Sequence, residues 1–159
     1  MKKFLISLTI ILTFFGCEDN IESNTPAFQG SKNANFIWKS TNSTVVVDST
    51  RVLTIKGTDG FGMMTLKVPS LALGTFVLGV DAATLAIYSE DDFIYSTVHS
   101  GNDSVVHVSD GAIMIDEIDM INATISGTFY FNAYSADGER VINFSKGVIY
   151  KLPLTMGTL

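Results

Sequence analysis

Short runs of β-forming residues, separated by turn residues, recur along most of the chain and constrain its fold more than any other feature. The runs are rich in valine, isoleucine, threonine and aromatic residues, and aspartate and glycine lie between them, where they tolerate left-handed backbone. No stretch has a sustained apolar repeat of helical period. About ten short strands predict an all-β fold, which we expect to be an antiparallel β-sandwich, with a partly closed β-barrel as the alternative. The runs cover residues 35–39, 44–47, 51–56, 62–68, 75–79, 84–88, 93–98, 104–108, 112–118, 122–134 and 140–150.

The clearest unit lies near the C-terminus. Between Ile125 and Ala133, apolar and polar residues alternate with the period of two that is typical of a half-buried strand. Asp137-Gly138 then turns the chain, and the run from 140 to 150 returns as an antiparallel partner. Gly127 and Gly147 lie inside these strands, which predicts a bulge or the close approach of a neighbouring chain.

The first sixteen residues have the composition of a secretory signal peptide. Two lysines precede the apolar run of residues 4–15, and Gly16 precedes Cys17, the single cysteine among 159 residues. Twelve apolar residues in a helix span only about 18 Å, too little to cross a bilayer. The string Phe14-Phe15-Gly16-Cys17 resembles the lipobox of bacterial lipoproteins, which implies that Cys17 carries the lipid and begins the mature chain. An ordinary cleaved signal with a chance cysteine, or an uncleaved anchor, is the alternative.

Residues 17–29 form the expected tether between the lipid and the domain. They are polar, include Pro26 and show no periodicity, as in a flexible spacer. The acidic residues Glu18, Asp19 and Glu22 resemble the signal that some gram-negative lineages use to export lipoproteins to the cell surface. Elsewhere, acidic residues after the cysteine mean retention at the inner membrane, and a solvated linker would also be acidic. We expect the protein at the outer membrane, facing the periplasm or the cell surface, with one domain over residues 30–159.

Charge and cysteine content exclude some classes of function. The formal net charge is −6 at pH 7, so nothing concentrates the positive charge that nucleic-acid binding needs. A single cysteine can form neither an internal disulfide nor a paired-cysteine metal site.

Several short strings follow the lipobox in order: FIWK at 36–39, LTIKG at 53–57, GTFVL at 74–78, ISGTFYF at 125–131 and GVIY at 147–150. With the lipobox, they resemble an uncharacterised family of small gram-negative cell-envelope lipoproteins. That resemblance implies an all-β lipoprotein without a known activity, so it transfers no catalytic residues.

Three aromatic residues are the candidate contacts for a ligand or partner. Trp38, Tyr130 and Tyr134 would supply a platform for stacking a sugar or packing a protein, and the two tyrosines share the face opposite the core of their strand. Ser49 and Ser104 lie in short strings that resemble the acceptor motif for bacterial O-glycosylation.

Groups that would carry catalysis or bind a metal are sparse. His99 and His107 are the only histidines, and a zinc site would need further ligands. The acidic clusters at 90–92 and 116–119 lack the spacing of a calcium loop, and no nucleophile elbow is present. We therefore predict no catalytic residue, no metal and no cofactor.

These features predict a lipid-anchored, non-catalytic binding or accessory module of the cell envelope. Its partners would be the membrane, through the N-terminal lipid, and a glycan, a small ligand or an envelope protein, but not nucleic acid. An envelope hydrolase with an unidentified site and a purely structural envelope component are the alternatives.

Overall fold

A computed structural model describes residues 27–102 and 108–157, which form eleven β-strands and no helix. In that part of the chain, therefore, no helix is long and apolar enough to cross a membrane. The strands are β1 (Ala27–Lys32), β2 (Phe36–Lys39), β3 (Asn42–Val47), β4 (Leu53–Thr58), β5 (Gly62–Val68), β6 (Gly74–Val77), β7 (Leu85–Glu90), β8 (Phe93–Ser96), β9 (Asp110–Asp119), β10 (Thr124–Ser135) and β11 (Val141–Met156).

The pairing of the strands confirms the predicted all-β, sandwich-like fold. A first layer has the strand order β2-β1-β11-β10-β9-β6, and a second layer has the order β3-β4-β5-β7-β8. The layers are joined where the end of β11 pairs with β3, in parallel, and where the end of β10 pairs with β8. Every strand pair except β11–β3 is antiparallel. The two longest strands thus belong to one layer and reach the other.

A cluster of aromatic side chains fills the space between the layers. Trp38 of the first layer meets Tyr88 of the second edge to face, with 6.3 Å between ring centroids. Tyr88 also packs against Phe144 at 5.0 Å. Such tilted and edge-to-face pairs stabilise a core beyond the apolar area that they bury. Trp38 and Tyr88 therefore tie the first layer to the second.

The two glycines predicted within strands occupy places where backbones approach closely. The register of β10 shifts between Ser126 and Gly127, and a Cβ on Gly127 would overlap the carbonyl of Met114 in β9. A Cβ on Gly147 would overlap the carbonyl and ring of Phe129. The bulge and the close approach were thus predicted correctly.

Two strand boundaries differ from the sequence expectation. β1 begins at Ala27, three residues before the expected start of the domain, and Phe28 is buried in the core. β11 continues beyond residue 150 to Met156, where it pairs with β3. Most of the predicted run at 104–108 lies outside the described residues; Val108 forms a single bridge with Ser100.

The strand register gives the domain two distinct ends. The upper end carries Lys32, at the close of β1, and the turns that connect β4 to β5, β7 to β8 and β10 to β11. The basal end carries Ala27, where the chain enters β1, and the turns that connect β3 to β4 and β9 to β10. It also carries Met156, because β11 runs from the upper to the basal end.

Candidate functional site

A cleft of about 410 Å³ opens at the upper end of the domain. Its volume falls in the range of small-molecule sites, which are about 300–1,000 Å³. Both layers contribute to the cleft, because β1, β2 and β11 meet β7, β8 and the β4–β5 turn there. The lining residues are Lys32, Asn33, Phe36, Ile37, Trp38, Asp59, Glu90, Tyr95, Val141 and Ile142.

An ion pair joins the two layers inside the cleft. Lys32 Nζ lies 2.5 Å from Glu90 Oε1, although the residues are 58 positions apart in sequence. Lys32 Nζ also donates to Tyr88 Oη at 3.4 Å. Burial, and then the Glu90 carboxylate, raise the pKa of the Tyr88 phenol, so Tyr88 stays neutral at physiological pH. The lysine is therefore held in place and its charge is largely compensated.

The indole of Trp38 forms part of the cleft lining and is only 2% exposed. Its Nε1 has no hydrogen-bond acceptor, and no other buried side-chain polar atom of the described residues lacks a partner. A buried donor without an acceptor costs about 1–3 kcal/mol, and such a group in a native structure calls for an explanation.

The rim of the cleft is apolar. Phe36 and Ile37, at the start of β2, are exposed beside it, and Val141 adds a third exposed side chain. Phe61 lies in the same turn as Asp59 and is 86% exposed. Exposed apolar residues that gather around a concave site are typical of binding surfaces.

The polar groups of the cleft disfavour an anionic ligand. Glu90 already pairs with Lys32. Asp59 Oδ1 accepts hydrogen bonds from the backbone N–H groups of Phe61 and Gly62, at 3.0 and 2.7 Å, and so shapes its own turn. One compensated cation and two carboxylates leave no excess positive charge for an anion. Donors and acceptors are both present, which suits a ligand that carries hydroxyl groups.

The structure separates the three aromatic residues predicted to form one platform. Trp38 lies beneath the cleft, Tyr130 is 49% exposed on the outer face of β10, and Tyr134 is only 4% exposed. Tyr134 keeps the alternation that places it on the side of Tyr130, but it is buried, and its backbone pairs with Ser96 of β8. His99 Nδ1 lies 3.1 Å from the Tyr134 carbonyl oxygen.

The predicted modification sites fall in different regions. Ser49 is exposed in the β3–β4 turn. In that turn Asp48 Oδ1 accepts hydrogen bonds from the backbone N–H groups of Thr50 and Val52, each at 2.9 Å. Cys17 and Ser104 lie outside the described residues.

Among the histidines and acidic clusters considered for metal binding or catalysis, His99 and Asp119 have structural partners. His107 lies outside the described residues, and the His99 ring is turned toward the Tyr134 carbonyl. Asp119 accepts hydrogen bonds from the backbone of Ile121 and Asn122. Across residues 27–102 and 108–157, no three histidine, cysteine or acidic side chains lie close enough together to hold a metal ion.

Sequence reasoning missed the cleft and its ion pair. Lys32 lies just beyond the expected tether, and Glu90 belongs to the acidic cluster between the predicted runs at 84–88 and 93–98. Neither residue has a local signal, since the pair depends on how two distant strands are placed. The exposed string Phe36-Ile37 beside Trp38 was the one available hint.

Taken together, the fold and the site define a small all-β sandwich domain with a cleft between its layers at one end. The chain belongs to the family described as Domain of unknown function (DUF6252), whose model matches residues 24–153. This confirms that the chain belongs to an uncharacterised family, and the lipoprotein and gram-negative envelope setting stays a prediction. Comparison with curated proteins and with solved structures gives no match.

Proposed function

We propose that the protein is a lipid-anchored, non-catalytic binding module of the cell envelope, and that the cleft at its upper end holds the ligand. The observation that carries this proposal is the position of the cleft. It lies at the opposite end of the sandwich from Ala27, where the chain enters the domain. A protein held to a membrane through Cys17 would therefore be attached at the end opposite the cleft, which leaves the cleft open to a ligand.

The chain before the domain is short enough to keep it near the membrane. Nine residues, 18–26, lie between the lipidated cysteine and β1. Fully extended, the chain from Cys17 to Ala27 would span at most about 36 Å. We place the protein at the outer membrane, facing the periplasm or the cell surface, because acidic residues follow Cys17 directly.

The chemistry of the cleft supports a neutral, hydroxyl-bearing ligand such as a glycan. Sugar hydroxyls accept and donate hydrogen bonds, and the apolar faces of sugar rings pack on exposed rings such as Phe36. The hydrolase alternative would need a catalytic pair, whereas Glu90 is occupied by Lys32 and Asp59 by its own turn. The structural alternative predicts that the cleft binds nothing.

The single tryptophan of the chain makes binding directly measurable. Trp38 lines the cleft, so a ligand that enters it should change the intrinsic fluorescence. Titration with purified peptidoglycan fragments, outer-membrane oligosaccharides and capsular polysaccharide should give a saturable change for at least one of them. Replacing Phe36 and Ile37 with serine should weaken that binding at least tenfold (a free-energy change of about 1.4 kcal/mol).

A matched control is Tyr130→Ser, on the outer face of β10, which should bind as the unmodified protein does. The proposal is wrong if no glycan gives saturable binding, or if the rim and control variants bind equally. Product formation from a bound glycan would instead favour the hydrolase.

Anchoring needs a separate measurement. Mass spectrometry should find a lipid on Cys17, and Cys17→Ser should release the protein from the membrane fraction. Protease added to whole cells should digest the protein if it faces the outside, and should leave it intact if it faces the periplasm. Unlipidated Cys17 in the mature protein would contradict the anchor.

A further inference from the structure

The basal end carries exposed apolar side chains that the core does not use. Met120 and Ile121 lie in the β9–β10 turn and are 63% and 95% exposed, and Met156 projects nearby from the end of β11. We call Met120, Ile121 and Met156 the apolar tip. The three come together because Thr124, at the start of β10, pairs with Pro153 of β11.

The turn that displays these side chains is held by its own hydrogen bonds. Asp119 Oδ1 accepts from the backbone N–H groups of Ile121 and Asn122, each at 2.9 Å, and Asn122 Nδ2 donates to Asp119 Oδ2 at 2.6 Å. The N–H of Leu154 donates to the carbonyl of Ala123 at 2.8 Å, which ties the turn to β11. The exposure of Met120 and Ile121 therefore follows from a well-supported turn.

A second cavity lies beside the apolar tip. Its volume is about 690 Å³, and Val47, Leu71 and Ile118 line it together with Met120 and Met156. The polar residues Asp48, Ser49 and Arg51 complete the lining. The basal end thus combines protruding apolar side chains with a largely apolar hollow.

The same end receives the chain from the anchor. Ala27 pairs with Tyr150, six residues before Met156 in β11, and β1 runs from there toward the upper end. The chain therefore enters the domain on the basal side, and a lipid on Cys17 would lie within about 36 Å of Ala27. A bilayer is the apolar surface that this arrangement brings to the apolar tip.

We propose that the apolar tip inserts into the surface of the membrane that holds the N-terminal lipid, which gives the domain a second point of attachment. The inference rests on the anchor of the proposed function. Apolar side chains at an interface stabilise membrane binding in proportion to the apolar area that they bury, and a second signal strengthens attachment through a lipid. Tyr150 and Lys151 precede Met156 in β11 and lie farther from the tip. Tyrosine and lysine are residue types that occur at the level of the lipid headgroups.

Two attachments would fix the orientation of the domain. A tether alone lets the domain tumble, whereas tip and lipid together hold the basal end down. The cleft at the upper end would then point steadily away from the bilayer.

The test uses the lipidated protein in phospholipid vesicles, with an environment-sensitive dye on a new cysteine. Ile121→Cys places the dye at the apolar tip, and Phe61→Cys, at the exposed upper end, is the matched control. Lipidation blocks Cys17, so each variant offers one thiol. We expect emission at shorter wavelength and quenching by spin-labelled lipids for residue 121, but water-like emission without quenching for residue 61.

The outcomes separate the two proposals. A lipidated, vesicle-bound protein whose dye at residue 121 stays in water overturns the apolar-tip inference and leaves the proposed function intact. Equal quenching at residues 121 and 61 overturns it as well, since the domain would then have no fixed orientation. A second dye on an unlipidated Cys17, with protein that does not stay on vesicles, overturns the anchor and with it this inference.

As an independent check, Met120→Ser combined with Ile121→Ser should keep the lipid and the fold, because both side chains are exposed. The quenching of a dye on Met156→Cys should then fall. Unchanged quenching in this variant would contradict insertion.

Discussion

Gly62 shows how one missing side chain shapes the candidate site. It begins β5 and pairs with Glu90, and a Cβ there would overlap the hydroxyl of Tyr88. Tyr88 is fully buried and receives a hydrogen bond from Lys32, so its ring cannot move away freely. Glycine at this position lets the core tyrosine reach the ion pair.

Gly62→Ala should therefore destabilise the fold by about 1–3 kcal/mol, the usual cost of overpacking a core. Urea unfolding gives the free energy directly. Gly30→Ala is the comparison, because its Cβ would lie 3.2 Å from Phe129 Cζ, a much looser contact than the overlap between a Cβ on Gly62 and the Tyr88 hydroxyl. Equal losses in the two variants would show that the Tyr88 hydroxyl does not set the requirement for glycine.

At the scale of the strands, β1 belongs to the core although its sequence resembles a spacer. Phe28 packs edge to face against Trp38 at 5.2 Å and against Phe129 at 5.5 Å. β1 also pairs with both β2 and β11, so it holds β2 in the first layer.

Phe28→Ala should cost about 3–5 kcal/mol, because the cavity it leaves adds to the lost burial. Phe61→Ala, at an exposed position, should change stability by less than about 0.5 kcal/mol. Thermal and urea unfolding measure both. If Phe28→Ala were as stable as Phe61→Ala, residues 27–29 would act as a spacer after all.

Each of three turns contains an aspartate whose carboxylate accepts hydrogen bonds from the same turn. Hydrogen bonds from Thr50, from Asn122 and from Ser135 are the largest causes that lower the pKa of Asp48, Asp119 and Asp137 below the ordinary value of 3.8. A lowered pKa in the folded state means that the ionised form is stabilised by folding. This contribution is present above pH 3.8 and is lost as the pH falls through the lower folded pKa values.

Titration of the folded protein by carboxyl NMR should therefore give midpoints below 3.8 for these three aspartates. The free energy of unfolding should fall as the pH is lowered from about 5 to about 2. In the Asp48→Asn variant, the free energy of unfolding should fall less over this pH range, because the β3–β4 turn then has no carboxylate to protonate. A midpoint at or above 3.8 for Asp48 would show that its turn does not favour the carboxylate.

How far the sequence predicts each element depends on how local its causes are. The run at 62–68 matches β5, and the C-terminal hairpin was found from alternation and from Asp137-Gly138. Tyr134 has the same outward position as Tyr130 in that alternation, yet it is buried where β10 reaches β8. Lys32 and Glu90 meet through strands far apart in the chain, so no local pattern reveals them.

At the scale of the whole molecule, the two layers do not form separate units. β10 and β11 pair with each other and reach β8 and β3 of the second layer, so the backbone ladder continues from one layer to the other. One buried cluster contains side chains from both, including Trp38, Tyr88 and Phe144. Separating the layers would expose this cluster and break the ladder at the same time.

The domain should therefore unfold in a single cooperative transition. Trp38 lies between the layers and is the only tryptophan, so its fluorescence follows their separation, whereas far-UV circular dichroism follows the strands themselves. The two signals should give coincident urea curves, with one midpoint and one slope. A Trp38→Phe variant should lose the fluorescence transition and keep the dichroism transition. If fluorescence changes at lower urea than dichroism in the unmodified protein, the layers part before the strands unfold, and the shared strands do not couple them.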